Sequence, residues 1–367
     1  MQRQPYSQQA VLENESLISE AAGDLVRRIR GNNGNSIDRR NVDVFPLCGL
    51  FSLEVICKAG FNKELRDGAD NIALNLLHTM DESAKMLPIN TVLPFLQKYD
   101  IGRHLPGSAG DIFRAFDRWE NMTRELLKGF RHDQLKNDFS QRFMATPLLI
   151  SEDTYLGRRL TEDEAVEEAM GLTIAGSGTT STTLLYILYN LSRLENRHYQ
   201  QKLREELRFS GESLHELQQL PMLNAIIRET MRLNPTIIST LPRVLDVDLP
   251  LAKLGGMIPR GTVVGMQNYV HHRDPSLFPD PESFKPERWL GDSGLAETAI
   301  TPFSLGPHNC IGQNLARVEL YLATSKVFRH LSLSLSPGMK ETDMEMEDRF
   351  NIAPRGRKLL LDISLVD

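Results

Sequence analysis

A chain of 367 residues with 41% hydrophobic and 25% charged residues has the composition of a globular protein with a sizeable core, which excludes disordered and collagen-like classes. Its net charge of -6 brings no basic excess, and no segment interleaves Lys/Arg clusters with aromatics, so no nucleic-acid partner is expected. Three cysteines (Cys48, Cys57, Cys310) are too few and too odd in number for a disulfide framework, and no apolar run reaches the roughly 18 to 20 residues of a membrane span or forms the core of a signal peptide near the start, so free thiols and no anchor are expected.

Residues 1 to about 205 read mostly as helices. In AVLENESLISEAAGDLVRRIRG, Leu17, Ile18, Ala21, Leu25 and Ile29 recur at helical spacing ahead of a Gly/Asn-rich stop at GNNGN. Further helical patterns follow at FSLEVICKAG, at DNIALNLLHTMDESAKM and, after a loop punctuated by Pro and Gly, at DIFRAFDRWENMTRELLKGF. At 161–194, TEDEAVEEAMGLTIAGSGTTSTTLLYILYNLSRL opens with a Thr161/Glu164 capping box and early acids. As one helix it would be about 50 Å long, enough to cross a domain. Two more helices are expected at NRHYQQKLREELRF and LNAIIRETMRLN. The segment from Ile237 to His272 is rich in β-branched residues, Pro and Gly and reads as short strands and turns, while LSLSLS and KLLLDISLV alternate like strands. With no repeat and no low-complexity linker, the pattern predicts one mainly α domain over 1–367 with a minor β part.

Three stretches carry chemistry. AGSGTTSTT (175–183) puts two glycines inside the long helix at a cost of about 1 kcal/mol each relative to alanine. Either small residues allow close helix packing there, or the helix opens locally and turns carbonyls and Thr hydroxyls toward a ligand or water. In RETMR, Glu229 and Arg232 share a helix face at a spacing that allows pairing, and the apolar neighbours Ile226, Ile227 and Met231 predict that the pair is buried and needs further partners, with Arg288 of PERW a candidate. Glu205 and Arg208 repeat the spacing on a highly charged helix and are expected to be merely solvated.

In PFSLGPHNCIGQNLA (302–316), Cys310 admits several readings. Zinc needs more Cys/His ligands than His308 supplies, a c-type haem needs CxxCH, a nucleophile needs a base, and a buried cysteine is a small hydrophobe. Gly306 and Gly312 allow close approach of something flat, Phe303 offers a covering ring, and a helix starting nearby aims its amides at the sulfur, favouring thiolate. A shielded thiolate with glycine clearance suits ligation of a haem iron.

With Phe303, Gly306, Cys310 and Gly312 in this order, the segment resembles the cysteine-ligand loop of the cytochrome P450 monooxygenases. AGSGTT resembles that family's oxygen-activation motif, Glu229/Arg232 its ExxR pair, Arg288 in PERW the third member of its Glu/Arg/Arg network, and Arg243 in LPR its propionate-binding arginine. The flavour of GPHNCIG, AGSGTT and PERWL is similar to fungal enzymes of secondary metabolism. The resemblance implies a P450-like fold lacking its N-terminal portion and a heme b cofactor with Cys310 as axial thiolate. Phe303, Gly306, His308, Gly312 and Arg243 would be in contact with the haem, and Gly176, Thr179 and Thr180 would shape the oxygen and proton path. It further implies a small apolar substrate, O2, and electrons from an NADPH-cytochrome P450 reductase. The location implied is the cytosolic face of the endoplasmic reticulum, with membrane contact through the family's N-terminal region, or the cytosol where that anchor is lacking. A shortened relative that binds haem without turnover is the alternative. Two local departures stand out: Gly178 takes the place of the family's acid before the distal threonine, and His308 that of an arginine.

Overall fold

The structure is a computed structural model that describes residues 4–31, 38–65, 70–136, 143–251, 255–291, 294 and 298–366; most of the expected GNNGN helix stop therefore lies outside the described residues. Its longer helices are α1 (Glu15–Arg30), α2 (Phe45–Phe61), α3 (Asp70–Ala84), α4 (Gly107–Lys136), α5 (Glu162–Ser192), α6 (Arg197–Arg208), α7 (Pro221–Leu233) and α8 (Gln313–His330). The strands that matter for the site are β1 (Asp38–Asp43), β2 (Leu331–Leu335), β3 (Met346–Arg349), β4 (Asn351–Pro354) and β5 (Leu360–Leu365). Each segment expected to be helical forms a helix, and the region after Ile237 forms two-residue and three-residue strand pairs.

Helix α5 organises the rest. It starts at the expected capping box: Thr161 accepts from the Glu164 amide, and the Glu164 carboxylate accepts from the Thr161 amide at 2.7 Å. Its second half, TTLLYILYNLS, has no charge and is buried all round between α2, α8 and β2, as a helix without a polar face must be. One buried cluster, reaching from Val11 to Ile363, draws side chains from most of the helices and from the sheet.

That sheet has the order β1-β5-β2, with β5 antiparallel to both neighbours and Leu361, Ile363, Leu331 and Leu333 turned into the core. A β3–β4 hairpin stands against α5: Thr182 donates to the Ile352 carbonyl at 3.2 Å and Tyr186 to the Met344 carbonyl at 3.0 Å. No helix among the described residues is long and apolar enough to cross a membrane.

One core residue departs from the pattern. Glu319 of α8 is fully buried, its carboxyl oxygens make no hydrogen bond of ordinary geometry, and burial pushes its pKa well above the usual carboxylate range, only partly offset by the Ser52 hydroxyl of α2. A carboxyl whose folded pKa is raised binds more protons folded than unfolded, so its contribution to stability is lost as pH climbs from the ordinary carboxylate range toward the folded pKa. Glu319→Gln should therefore raise the melting temperature, by more at pH 8 than at pH 5. Thermal melts at the two pH values check this; a destabilised variant at pH 8 would show that the carboxylate has a partner worth keeping.

Candidate functional site

The middle of α5 stays helical throughout, which favours close packing of small residues over a locally opened helix. The hydroxyls that were to face a ligand donate to carbonyls of their own helix: Ser177 to Thr173 at 2.7 Å, Thr179 to Ala175 at 2.8 Å, Ser181 to Gly178 at 3.1 Å and Thr183 to Thr179 at 3.1 Å. Gly176 is a packing residue, since a Cβ there would lie 2.6 Å from Cγ1 of Ile56 on α2. Overpacking of that kind costs about 1 to 3 kcal/mol, more than the about 1 kcal/mol of helix propensity an alanine would add. Thr180 is buried. Gly176 and Thr179 are both half-buried, Thr179 on a stripe with exposed Gly171 and Ala175 at four-residue spacing.

Glu229, Arg232 and Arg288 come together as expected, and the first two are completely buried. Glu229 accepts from Nε and Nη2 of Arg232 at 2.8 Å each, from the Lys285 amide at 2.8 Å, from Trp289 Nε1 at 3.0 Å and from Arg288 Nε at 3.3 Å. Arg232 uses its remaining donors on the carbonyls of His272 (2.9 Å), Pro281 (2.7 Å) and Ser283 (3.1 Å). All five guanidinium N–H groups are thereby satisfied, the condition under which a buried ion pair is tolerated. Glu205 and Arg208 are exposed.

His272 extends this network to the cysteine loop, a link that no motif signals in sequence. Its Nε2 accepts from the Thr301 amide at 3.1 Å, which leaves the ring proton on Nδ1, and burial followed by the charges of His271 and Arg232 lowers its pKa to about 4. Thr301 is also held by Asn268, whose side chain donates to its carbonyl at 3.1 Å and accepts from its hydroxyl at 2.9 Å. From there the chain turns at Ser304, forms a short 3-10 turn at Gly306–His308 and returns at Cys310, whose amide donates to the Phe303 carbonyl at 2.8 Å. The half-buried Phe303 ring carries the Arg317 guanidinium 5.1 Å from its centre. Gly306 has φ +72°, which favours glycine whatever space surrounds it, and side chains at Gly306 and Gly312 would point into open space.

The thiol itself behaves differently from the expectation. Helix α8 begins only at Gln313, and desolvation by the surrounding chain raises the Cys310 pKa above the ordinary thiol value, with the hydrogen bond from the Gly312 amide only partly offsetting it. A bound metal ion would favour the thiolate against this desolvation. Cys310 is nonetheless the exposed one of the three cysteines, Cys48 and Cys57 being buried.

Arg243 opens the short strand Arg243–Val244, is exposed, and makes no ion pair among the described residues, its Nη1 donating to the Pro242 carbonyl at 2.9 Å. It lines a cavity of about 390 Å³ together with Ile237, Leu241, Ser304 and Leu305, so the cysteine loop and this cation border the same space. His308, in the same loop as Ser304 and Leu305, is exposed. A flat apolar group with carboxylates and a thiophilic iron fits this donor set: one accessible sulfur, an unpaired guanidinium, an imidazole and apolar walls. No cluster of three His, Cys, Asp or Glu side chains able to hold a bare metal ion occurs among the described residues, and none of their hydrogen bonds links the middle of α5 to the cysteine loop.

A model of the cytochrome P450 family matches residues 3–361. The chain belongs to the cytochrome P450 family. It is 32% identical over 329 residues to the cytochrome P450 4ae1 of Drosophila melanogaster, covering 84% of this chain and 63% of that protein. It is 38% identical over 193 residues to the cytochrome P450 monooxygenase orf2 of Aspergillus niger, covering 51% and 39%. To the monooxygenase azaI of the same species it is 35% identical over 214 residues, covering 51% and 45%. A retinoic acid-bound cyanobacterial CYP120A1 shares the fold of this P450 chain at a TM-score of 0.78, with 20% identity and coverage of 99% of this chain and 77% of that one. The chain spans 39% to 66% of the length of the curated P450 relatives it matches.

Proposed function

We propose that residues 1–367 act as one haem-thiolate monooxygenase domain that inserts one oxygen atom of dioxygen into a small apolar organic molecule, in fungal secondary metabolism. The Aspergillus niger relatives carry the name monooxygenase, which supports the reaction class. The observation that carries the reading is the accessible Cys310 in a loop pinned at Phe303 and Thr301, whose Ser304 and Leu305 line a cavity shared with Arg243. Bound heme b would supply dioxygen binding and reductive O–O cleavage, favoured by an electron-rich thiolate ligand.

The chain's own residues then have separate tasks. Cys310 Sγ would hold the iron, while Arg243 and His308 would hold the carboxylates and Phe303 would cover the sulfur side. Glu229, Arg232 and Arg288 keep three peptide segments fixed against α7, and His272 passes that rigidity to Thr301 at the base of the loop. Gly176 lets α5 lie against α2, which leaves Thr179 facing the accessible stripe. The Thr179 hydroxyl, with water and without a carboxylate at Gly178, would hold the proton needed for cleavage, and Thr180 would support it from the buried side. Electrons would come from an NADPH-cytochrome P450 reductase, with the chain on the cytosolic face of the endoplasmic reticulum.

The test is a reduced-plus-carbon-monoxide difference spectrum of the purified, haem-reconstituted chain. A strongly red-shifted band supports the thiolate reading; a chain that binds haem without that band overturns it, and a band without product formation points to the non-catalytic relative. A second result concerns Thr179. Thr179→Ala should leave haem content unchanged and divert reducing equivalents to hydrogen peroxide, since positioned proton transfer typically contributes 10² to 10⁴-fold. Product per NADPH, measured beside peroxide, decides it; full coupling in the variant would make Thr179 a packing residue.

A further inference from the structure

At the carboxyl end of α5 another cavity, of about 310 Å³, opens between the last turn of that helix, the 3-10 turn Leu194–Asn196, the first residue of α6, β2 and the segment from Met339 to Glu341. Its size is at the lower end of small-molecule sites. The floor is apolar: Tyr189, Leu191 and Leu333 are buried, and Leu335 and Met339 pack partly buried against the same core. Leu194 stands on the rim, 81% exposed. Cys310, Arg243 and Thr179 do not line this space.

The rest of the rim is charged, and its charges do not cancel. Arg193 is committed: its guanidinium lies 2.5 Å from Glu195, 3.3 Å from Glu341 and 5.5 Å from the centre of the Tyr189 ring. Placed directly after Ser192, it also serves the carbonyl end of α5. On the opposite side Lys340 and Lys358 act on one carboxylate, Asp343, which Lys358 approaches to 3.3 Å. Arg197 is left over. It is exposed, and its guanidinium makes no ion pair and no hydrogen bond among the described residues. It also opens α6, where the positive end of the helix disfavours a cation and no acid stands in the first turn to offset it. A cation that breaks a local rule, beside an apolar floor with an exposed leucine at its edge, is matched by an occupant that supplies the missing negative charge and an apolar body.

We propose that this cavity binds a small organic monoanion, an aromatic or aliphatic body carrying one carboxylate, with the body on the Tyr189, Leu333 and Met339 floor and the carboxylate on Arg197. The site does not rest on the haem chemistry: a missing carbon monoxide band leaves it standing, and a failure here leaves Cys310 untouched.

Equilibrium dialysis of the haem-reconstituted chain against 2-naphthoate and its neutral isostere 2-naphthamide tests it. Naphthoate should bind at a saturable site, and Arg197→Gln should weaken it about tenfold while leaving naphthamide as it was. Arg208→Gln removes an exposed cation at the other end of α6 and should leave naphthoate binding unchanged. Ser334→Phe, which fills the cavity from exposed Ser334 of β2, should weaken naphthoate by about tenfold or more while far-ultraviolet circular dichroism stays unchanged. No saturable naphthoate binding in the parent chain overturns the site without needing any variant. Parent-like naphthoate affinity in Arg197→Gln, or an equal loss in Arg208→Gln, overturns the role of Arg197, and parent-like binding in a folded Ser334→Phe chain overturns the placement.

Discussion

Cys310→Ser removes the red-shifted carbon monoxide band entirely. A serine oxygen cannot donate charge to the iron as a thiolate sulfur does, so any haem retained should give the spectrum of a neutral or oxygen ligand. Neither remaining cysteine can substitute. Cys57 is buried in α2, where burial and the Glu54 charge push its pKa to about 12, and Cys48 lies higher still for the same kind of reason, burial and then Asp43. Cys310 starts from a raised pKa as well, so haem uptake should release a proton, and the rate of band formation should increase with pH in the parent chain. An unchanged band in the serine variant would remove Cys310 as the ligand, and with it the proposed chemistry.

Glu229→Ala should cost about 3 to 5 kcal/mol of stability, because it leaves the fully buried Arg232 guanidinium without its counter-charge. It also strips the Lys285 amide, Trp289 Nε1 and Arg288 of their acceptor. The matched control is Glu205→Ala on α6, an exposed carboxylate for which about 0 to 1 kcal/mol is expected. Urea or thermal unfolding of both variants decides the matter. Comparable losses would mean that the network is ornamental to stability.

What could be read from the sequence was whatever depends on neighbours along the chain. The capping box of α5, the Glu229/Arg232 spacing and the apolar stripe of α1 are local, and the structure has each of them. The loop around Cys310 was legible because its residue types lie within a dozen positions, although its pKa was not, since desolvation outweighs the helix end that begins too late. Strand β1, DRRNVD, shows no alternation and exists through backbone pairing with β5. The β3–β4 hairpin likewise depends on α5 side chains and on a left-handed Phe350, φ +74°, which propensity disfavours. Trp289 stood inside the PERW motif, yet its role requires knowing that Glu229 has an acceptor lone pair left over after Arg232 and Lys285. Glycine and threonine in the middle of α5 left packing and opening as alternatives; packing against Ile56 and back-bonded hydroxyls explain them without an opening.

The pairing of β1 with β5 also sets an order of events during synthesis. Asn41 meets Asp362 across 321 residues of chain, the Leu359 amide donates to Asp43, and the Val44 amide at the entry to α2 donates to the Leu359 carbonyl. A ribosome will have released the whole first half of the protein long before this partner exists, so at the start of α2, the helix on which Gly176 rests, the Phe45 amide has its local acceptor in Asp43 while the Val44 amide must wait for Leu359. A nonsense codon only a few residues before Leu359 would thus be felt three hundred residues upstream, at the helix that sets the position of α5.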